Sequence, residues 1–560
     1  MPTISIGEHI IRRLKEIGID TIFGVPGDYN MPFLDIIEDD PKLTWGNNAN
    51  ELNASYAADG YARIRGAGAL VTTFGVGELS AMNGIAGSYS EMLPVIHIVG
   101  TPATASQDAR AMLHHSLGNG DFDVFHRMSA MVTVASAQLT RDNAITEIDR
   151  VIQAAFTHKR TGYIGIPIDL MTAHVDAPPQ AQQELDLKPA KNSDTTQSIA
   201  LKQILQEIQD AKHPAIVIDG CVLRHRLEKE ATEFVERSGF PTFAAPMGKG
   251  AIDESLENYR GIYTGNVSLE GISKEIEQAD LLIELGSIKS DFNTGNFSYG
   301  LDKTKTISLH SFKTVIYHAE YPGVGMNELL PLLTKSLPKN VQSVKFEPRV
   351  KPEAIDNSTT EITHNYLWNK VPEFIQPDSV IVAETGTAGF GIFNMESPKR
   401  AKFISQILWG SIGYSVGAAV GAAMADRNRK VYLFVGDGSF QLTAQEVSVF
   451  LRQGLTPVIF LLNNDGYLIE KLIHGPDRAY NNFQMWEYNQ TLKYFGGYLE
   501  NNKCKSLIGL ESKVTTRQEF EDTMVQVNQQ PNKIHFVEVV MPQFDAPREL
   551  SLLVGSSENR

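Results

Sequence analysis

"VGDGSF", residues 435–440, follows the apolar run "VYLF" and sets Asp437 between two glycines. A similar pattern returns in "VIFLLNNDGY", residues 458–467. Short apolar runs that end in Gly, Asp and Asn read as buried strands of a parallel α/β sheet. Ligands of such sheets bind beyond the carboxyl ends of the strands. Two strand ends carrying oxygen-rich side chains therefore predict one charged ligand held between them. Glycines let backbone N–H groups approach phosphate oxygens. The Asp437 carboxylate and the Asn464 carboxamide oxygen are hard ligands suited to Mg²⁺ that also holds phosphates. "GDG" alone is equally an ordinary strand-to-helix turn; its pairing with "NNDGY" decides the reading.

The rest of the chain repeats this strand–helix alternation. Helices are expected at 6–18, near 50–65 and near 78–90, between strands in "TIFGVPG", "ALVTTF", "LPVIHIVG" and "TGYIGIPIDL". The polar stretch at 182–198 reads as a linker, and so does 338–360, rich in Pro, Lys and polar residues. Between the linkers, "PAIVIDGC", "ADLLIELGS" and "KTISLH" read as strands. After them come "SVIVAETG", "KVYLFVGDGS", "TPVIFLLNN" and "KIHFVEVVM". The expectation is an α/β protein of three consecutive domains with parallel sheets flanked by helices, at 1–182, 198–338 and 360–560. A length of 560 residues suits three cores better than one.

Fifty basic residues against 66 acidic ones give a net charge of −16, which disfavours nucleic-acid and anionic-membrane partners. Two cysteines, Cys221 and Cys504, are too few for a disulfide framework. The start reads as an amphipathic helix with Ile10, Ile11, Leu14 and Ile17 on one face, not as a signal peptide. No apolar run is long enough to span a bilayer, and the final "ENR" is no peroxisomal signal. A cytoplasmic location is expected.

The "GDG…NN" pair resembles the signature of thiamine-diphosphate enzymes, and the resemblance covers nearly the whole chain. "NANELNASYAADGYAR", "HHSLGNGDF", "SDFNTGNFSYG", "QILWGSIGYS", "GDGSFQLTAQE" and "NNDGYLIEKLIHGP" are similar to the fungal pyruvate decarboxylase family. The resemblance implies thiamine diphosphate and Mg²⁺ as cofactors, with Asp437, Asn464 and the carbonyl of Gly466 on the metal. Gly438, Ser439 and Thr387 are implied at the diphosphate, with Tyr467, Leu468 and Ile469 beside it. Gly410 offers a backbone carbonyl to the pyrimidine next to Ser411, and Ile412 wedges between the two cofactor rings. Glu51 matches the glutamate whose hydrogen bond to the pyrimidine N1′ favours the tautomer that removes the thiazolium proton. A lone helical glutamate reads instead as a solvated carboxylate, and Ile412 alone reads as core.

On the substrate side, Asp28, His114, His115 and Glu470 match the family's ionisable residues around the reactive carbon. Histidine gives and takes protons near neutral pH, and carboxylates do so when burial or a like charge raises their pKa. Paired histidines on a loop are otherwise usually surface residues. Phe292 and Gly389 are expected to face the substrate's side chain. Gly389 stands where relatives often carry Ala, and Met92 where yeast-type relatives carry His. Cys221 matches a cysteine linked to substrate activation, though a buried small hydrophobe is its simpler reading.

The implied reaction is non-oxidative decarboxylation of a small-molecule 2-oxo acid, pyruvate first, as in alcoholic fermentation. The implied assembly is a homodimer with shared active sites, doubled to a homotetramer. The alternatives are a decarboxylase of larger aromatic or branched 2-oxo acids and a catalytically silent, filament-forming relative. Acetolactate-type carboligases share the fold but lack the His114–His115 pair.

Overall fold

The structure is a computed structural model that describes residues 3–338 and 346–555. Part of the second expected linker, 339–345, and the terminal "ENR" lie outside the described residues.

The first sheet has six strands, all parallel, in the spatial order Thr44–Trp45, Thr21–Gly24, Gly68–Thr73, Val95–Thr101, Gly162–Pro167, Ala135–Gln138. The third also has six parallel strands: Lys402–Ile404, Val380–Ala383, Val431–Gly436, Val458–Asn463, Ile534–Val540, Ile508–Val514. Their central strands are buried end to end, as expected of β-rich apolar runs covered by helices on both faces.

The middle sheet differs from the parallel expectation at one edge. Five of its seven strands are parallel. The last two, Lys313–Ile316 and Ala319–Pro322, turn back as an antiparallel hairpin. The strand Ala319–Pro322, "AEYP", is exposed at all but Tyr321, fits a sheet edge and gives little apolar signal in the sequence. The expected linker at 182–198 also ends early. Ser193 caps a helix, Asp194–Asp210, by accepting the N–H of Thr196.

The first and third domains meet through two helices of small residues. Glu51–Arg65 is capped by the Asn50 side chain, which accepts the Asn53 N–H at 2.8 Å, and it ends on Gly66 in the left-handed conformation. Tyr414–Ala425, "YSVGAAVGAAMA", is buried on every side. The backbones approach so closely that a Cβ on Gly60 would lie 2.1 Å from the Ala418 carbonyl oxygen, and one on Gly421 would lie 1.9 Å from that of Ala57. Buried polar contacts lock the seam. Arg63 and Tyr414 both donate to Asp59, and Asn48 donates to Glu446 at 2.6 Å.

Candidate active site

In the third sheet the chain passes from Val380–Ala383 outward to Lys402–Ile404, then returns to the other side of Val380–Ala383 with Val431–Gly436. This reversal leaves a crevice beyond the strand ends, where open α/β sheets bind ligands. A cavity of about 400 Å³ opens there. Its walls come from residues 384–388, Ile412, 436–439, Leu442, Asn464, 466–470 and Tyr480.

Asp437 leaves one strand end and Asn464 the next; both are buried. Asp437 accepts the N–H groups of Gly438 at 2.8 Å and Gly466 at 3.2 Å. Burial nevertheless raises its pKa to about 6. A buried carboxylate beside a carboxamide, both facing a cavity, is the donor set for a hard divalent cation. Gly438 has no room for a side chain, since a Cβ would meet the Tyr467 ring at 2.5 Å. Its backbone therefore stays bare toward the cavity. Ser439, Thr387, Tyr467, Leu468, Ile469 and Glu470 line the same space.

Ile412 is 37% exposed, too open for a core residue, and it too lines the cavity. The loop before it is held from the first domain. Glu91, fully buried, accepts the N–H groups of Ile407, Leu408 and Trp409 through one oxygen. Ser411 lies 2.6 Å from the Tyr56 hydroxyl. Gly410, at a positive φ of 63°, turns the chain between them.

The structure does not bring every expected residue to this cavity. Asp28, His114 and His115 cluster elsewhere, with His114 Nε2 2.5 Å from Asp28 Oδ2 and His115 Nε2 4.0 Å from Oδ1. Glu51 opens its helix beside Gly77, whose Cβ would sit 3.1 Å from the carboxylate. None of these four lines the cavity of its own chain.

Two residues expected on the substrate side are not among those that line this cavity. Gly389 is buried in the short helix Thr387–Gly391, and a Cβ there would point at the Glu384 carbonyl oxygen, 2.8 Å away. Its missing methyl relieves a close backbone contact. Phe292 packs edge-to-face on Phe390 at 5.6 Å, also away from the cavity lining. Cys221 is fully buried, 3.4 Å from the Met92 sulfur and 3.7 Å from His310 Nε2, and burial pushes its thiol pKa up to about 12. A buried thiol with a raised pKa stays protonated.

Sequence reasoning passed over Glu384. It ends the strand Val380–Ala383, lines the cavity and accepts from the Ser415 hydroxyl at 2.6 Å, with burial raising its pKa to about 7. A carboxylate closing the apolar run "VIVA" was the available signal.

Comparison with known proteins finds three family domains along the chain. Residues 4–124 match the N-terminal TPP binding domain of thiamine pyrophosphate enzymes, 201–326 their central domain and 384–539 their C-terminal TPP binding domain. Pyruvate decarboxylase isozyme 3 of Saccharomyces cerevisiae is 43% identical over 98% of both chains. The chain belongs to the thiamine pyrophosphate enzyme family. Within that family it is also similar to pyruvate decarboxylase of Kluyveromyces lactis, at 42% identity over 98% of both chains. The match to pyruvate decarboxylase of Aspergillus terreus is 43% over all of this chain and 97% of that one. The thiamine pyrophosphate enzyme match to 384–539 contains every residue of the cavity wall.

Proposed function

We propose that this protein decarboxylates a 2-oxo acid, chiefly pyruvate, to the aldehyde and CO₂, using thiamine diphosphate and Mg²⁺. The observation that carries this reading is the buried Asp437–Asn464 pair at adjacent strand ends, facing a cavity of about 400 Å³. When bound, thiamine diphosphate supplies a nucleophilic carbon and an electron sink for the pair left when CO₂ departs.

The chain's own residues do the rest. Asp437, the Asn464 side-chain oxygen and the Gly466 carbonyl hold the metal. Gly438, Ser439 and Thr387 receive the diphosphate, flanked by Tyr467, Leu468 and Ile469. Gly410, Ser411 and Ile412 orient the ring system. Glu51 holds a proton at the pyrimidine nitrogen. Asp28, His114, His115 and Glu470 move the proton that replaces CO₂ on the product carbon. Support for their joint action is the direct Asp28–His114 contact and the place of Glu470 on the cavity wall.

Glu51, Asp28, His114 and His115 lie off the cavity of their own chain, which supports a homodimer whose sites are shared, doubled to a homotetramer. The three larger sheets support three domains, expected at 1–182, 198–338 and 360–560, with the middle one opening earlier, at the helix Asp194–Asp210. A cytoplasmic location is supported by two unpaired cysteines and by the lack, among the described residues, of any helix long and apolar enough to cross a membrane.

An assay coupled to alcohol dehydrogenase and NADH tests the activity. Pyruvate, 2-oxobutanoate, phenylpyruvate and indolepyruvate are compared with both cofactors present. Pyruvate should give the highest kcat/KM. Absence of CO₂ release from all four overturns the reading.

A further inference from the structure

Two histidines adjacent in sequence seldom serve one ligand, because neighbouring side chains of an extended chain point to opposite sides. His115 breaks that alternation with a left-handed backbone, φ 64°. The two imidazoles then lie on one side, their centroids 4.6 Å apart. Asp28 joins them from another loop. Its two carboxylate oxygens divide between the rings, Oδ2 at 2.5 Å from His114 Nε2 and Oδ1 at 4.0 Å from His115 Nε2. One ligand atom from each of the three residues falls within 4.8 Å of the others.

This cluster rests on a firm base. Tyr29 is buried and stacks flat on His114 at 5.0 Å, and its other neighbour is the buried Phe74. The His115 carbonyl seats against Gly75, where a Cβ would approach to 2.2 Å. Asn30 fixes the Asp28 turn by accepting the Gly27 N–H at 2.9 Å and donating to the Val25 carbonyl. Within the single chain the Asp28 and His114 side chains are exposed and His115 is partly so.

Ligands at about 2.0–2.1 Å from a tetrahedral Zn²⁺ stand roughly 3.3 Å from one another. The three ligand atoms, all within 4.8 Å of one another, meet that geometry when the Asp28–His114 contact opens by about 0.8 Å and the longest separation closes by at most about 1.5 Å. Two imidazoles and one carboxylate suit Zn²⁺, Ni²⁺ or Cu²⁺, whereas the all-oxygen set at Asp437 and Asn464 suits Mg²⁺. We infer that Asp28, His114 and His115 form a second metal site, selective for a borderline cation such as Zn²⁺, whose occupation blocks the enzyme by tying up its substrate-side proton carriers. The binding half stands on this geometry alone, and the blocking half rests on the function proposed above.

The test uses holoenzyme saturated with thiamine diphosphate and Mg²⁺. Zn²⁺ uptake is measured by equilibrium dialysis, and Co²⁺ serves as a visible-spectrum probe. Imidazole-ligated Co²⁺ of low coordination absorbs far more strongly than octahedral Co²⁺ on oxygen ligands, so exchange into the Asp437 site is told apart. Wild type should take up one extra Zn²⁺ per subunit, with activity falling in step and returning on chelation. His115→Gln and Asp28→Asn should each weaken uptake by at least the roughly tenfold to hundredfold that loss of a mere outer-shell partner costs. The intense Co²⁺ bands should vanish with them. Unchanged uptake in both variants, or no extra Zn²⁺ in wild type, overturns the site. Saturating uptake that leaves activity intact overturns the blockade and the placement of these residues at the reacting carbon, and keeps the metal site.

Discussion

The carboxylate of Asp437 accepts the backbone N–H of Gly466 at 3.2 Å, tying together the ends of two neighbouring parallel strands. One side chain thus shapes the metal-binding loop and supplies its charge. Asp437→Ala should release cofactor without unfolding the protein. Gel filtration in buffer lacking Mg²⁺ should return wild type with thiamine diphosphate and the variant without it. A variant that retains cofactor as well as wild type removes Asp437 from the metal.

Glu51→Gln should fold normally and lose at least about a hundredfold in turnover, the scale of a positioned proton-transfer group. Hydrogen–deuterium exchange at the thiazolium carbon of bound cofactor should slow in parallel. The shared-site arrangement adds a second measurement. Co-refolding Glu51→Gln with Asp437→Ala puts both lesions into one site of a mixed dimer and leaves the other site intact. Activity should therefore reappear in the mixture. If the mixed dimers form and stay silent, each chain builds its own site.

Gly389→Ala should act on packing and leave substrate choice alone. The added methyl meets the Glu384 carbonyl at 2.8 Å, so the backbone must shift. Thermal stability should fall, and kcat/KM for pyruvate and 2-oxobutanoate should decline together. A several-fold change in their ratio would place position 389 in the substrate wall after all.

Glu446 bridges the outer domains, accepting from Asn48 Nδ2 at 2.6 Å and from the Ala49 N–H at 3.1 Å. Burial raises its pKa from 4.5 to about 7. A raised folded-state pKa means that the folded protein holds the proton more tightly than the unfolded chain. Its contribution to stability is complete below pH 4.5 and is lost as pH rises through about 7. Denaturant unfolding should show Glu446→Gln with a flatter pH dependence than wild type across that window. Parallel curves would contradict the shift.

Much of this was legible in sequence because the informative signals are local. Strands such as Val95–Thr101 and Val458–Asn463 are continuous apolar runs ended by polar or glycine-rich turns, and the Asp437–Asn464 pairing follows from two such ends. What stayed hidden depends on partners distant in the chain. Glu384, Glu446 and Glu91 look like ordinary acidic residues until burial and backbone donors surround them. The antiparallel hairpin at Lys313–Pro322 lacks the apolar period that reveals a strand. Gly389 is a related case. Its place in a motif gives no direction for its missing side chain, and that direction is set by the turn beginning at Gly386, φ 141°.

The glycine contacts between helices Glu51–Arg65 and Tyr414–Ala425 have a mechanical consequence. Helices whose ridges are filled with long side chains can slide by exchanging rotamers. Here backbone lies directly on backbone at Gly60 and Gly421, so sliding would need atoms to interpenetrate. The outer domains of one chain therefore travel as a single lever. Any opening that admits substrate must hinge at the middle domain or, in the proposed dimer, at the seam between subunits, where a small rotation of that lever carries Glu51 and Ile412 together.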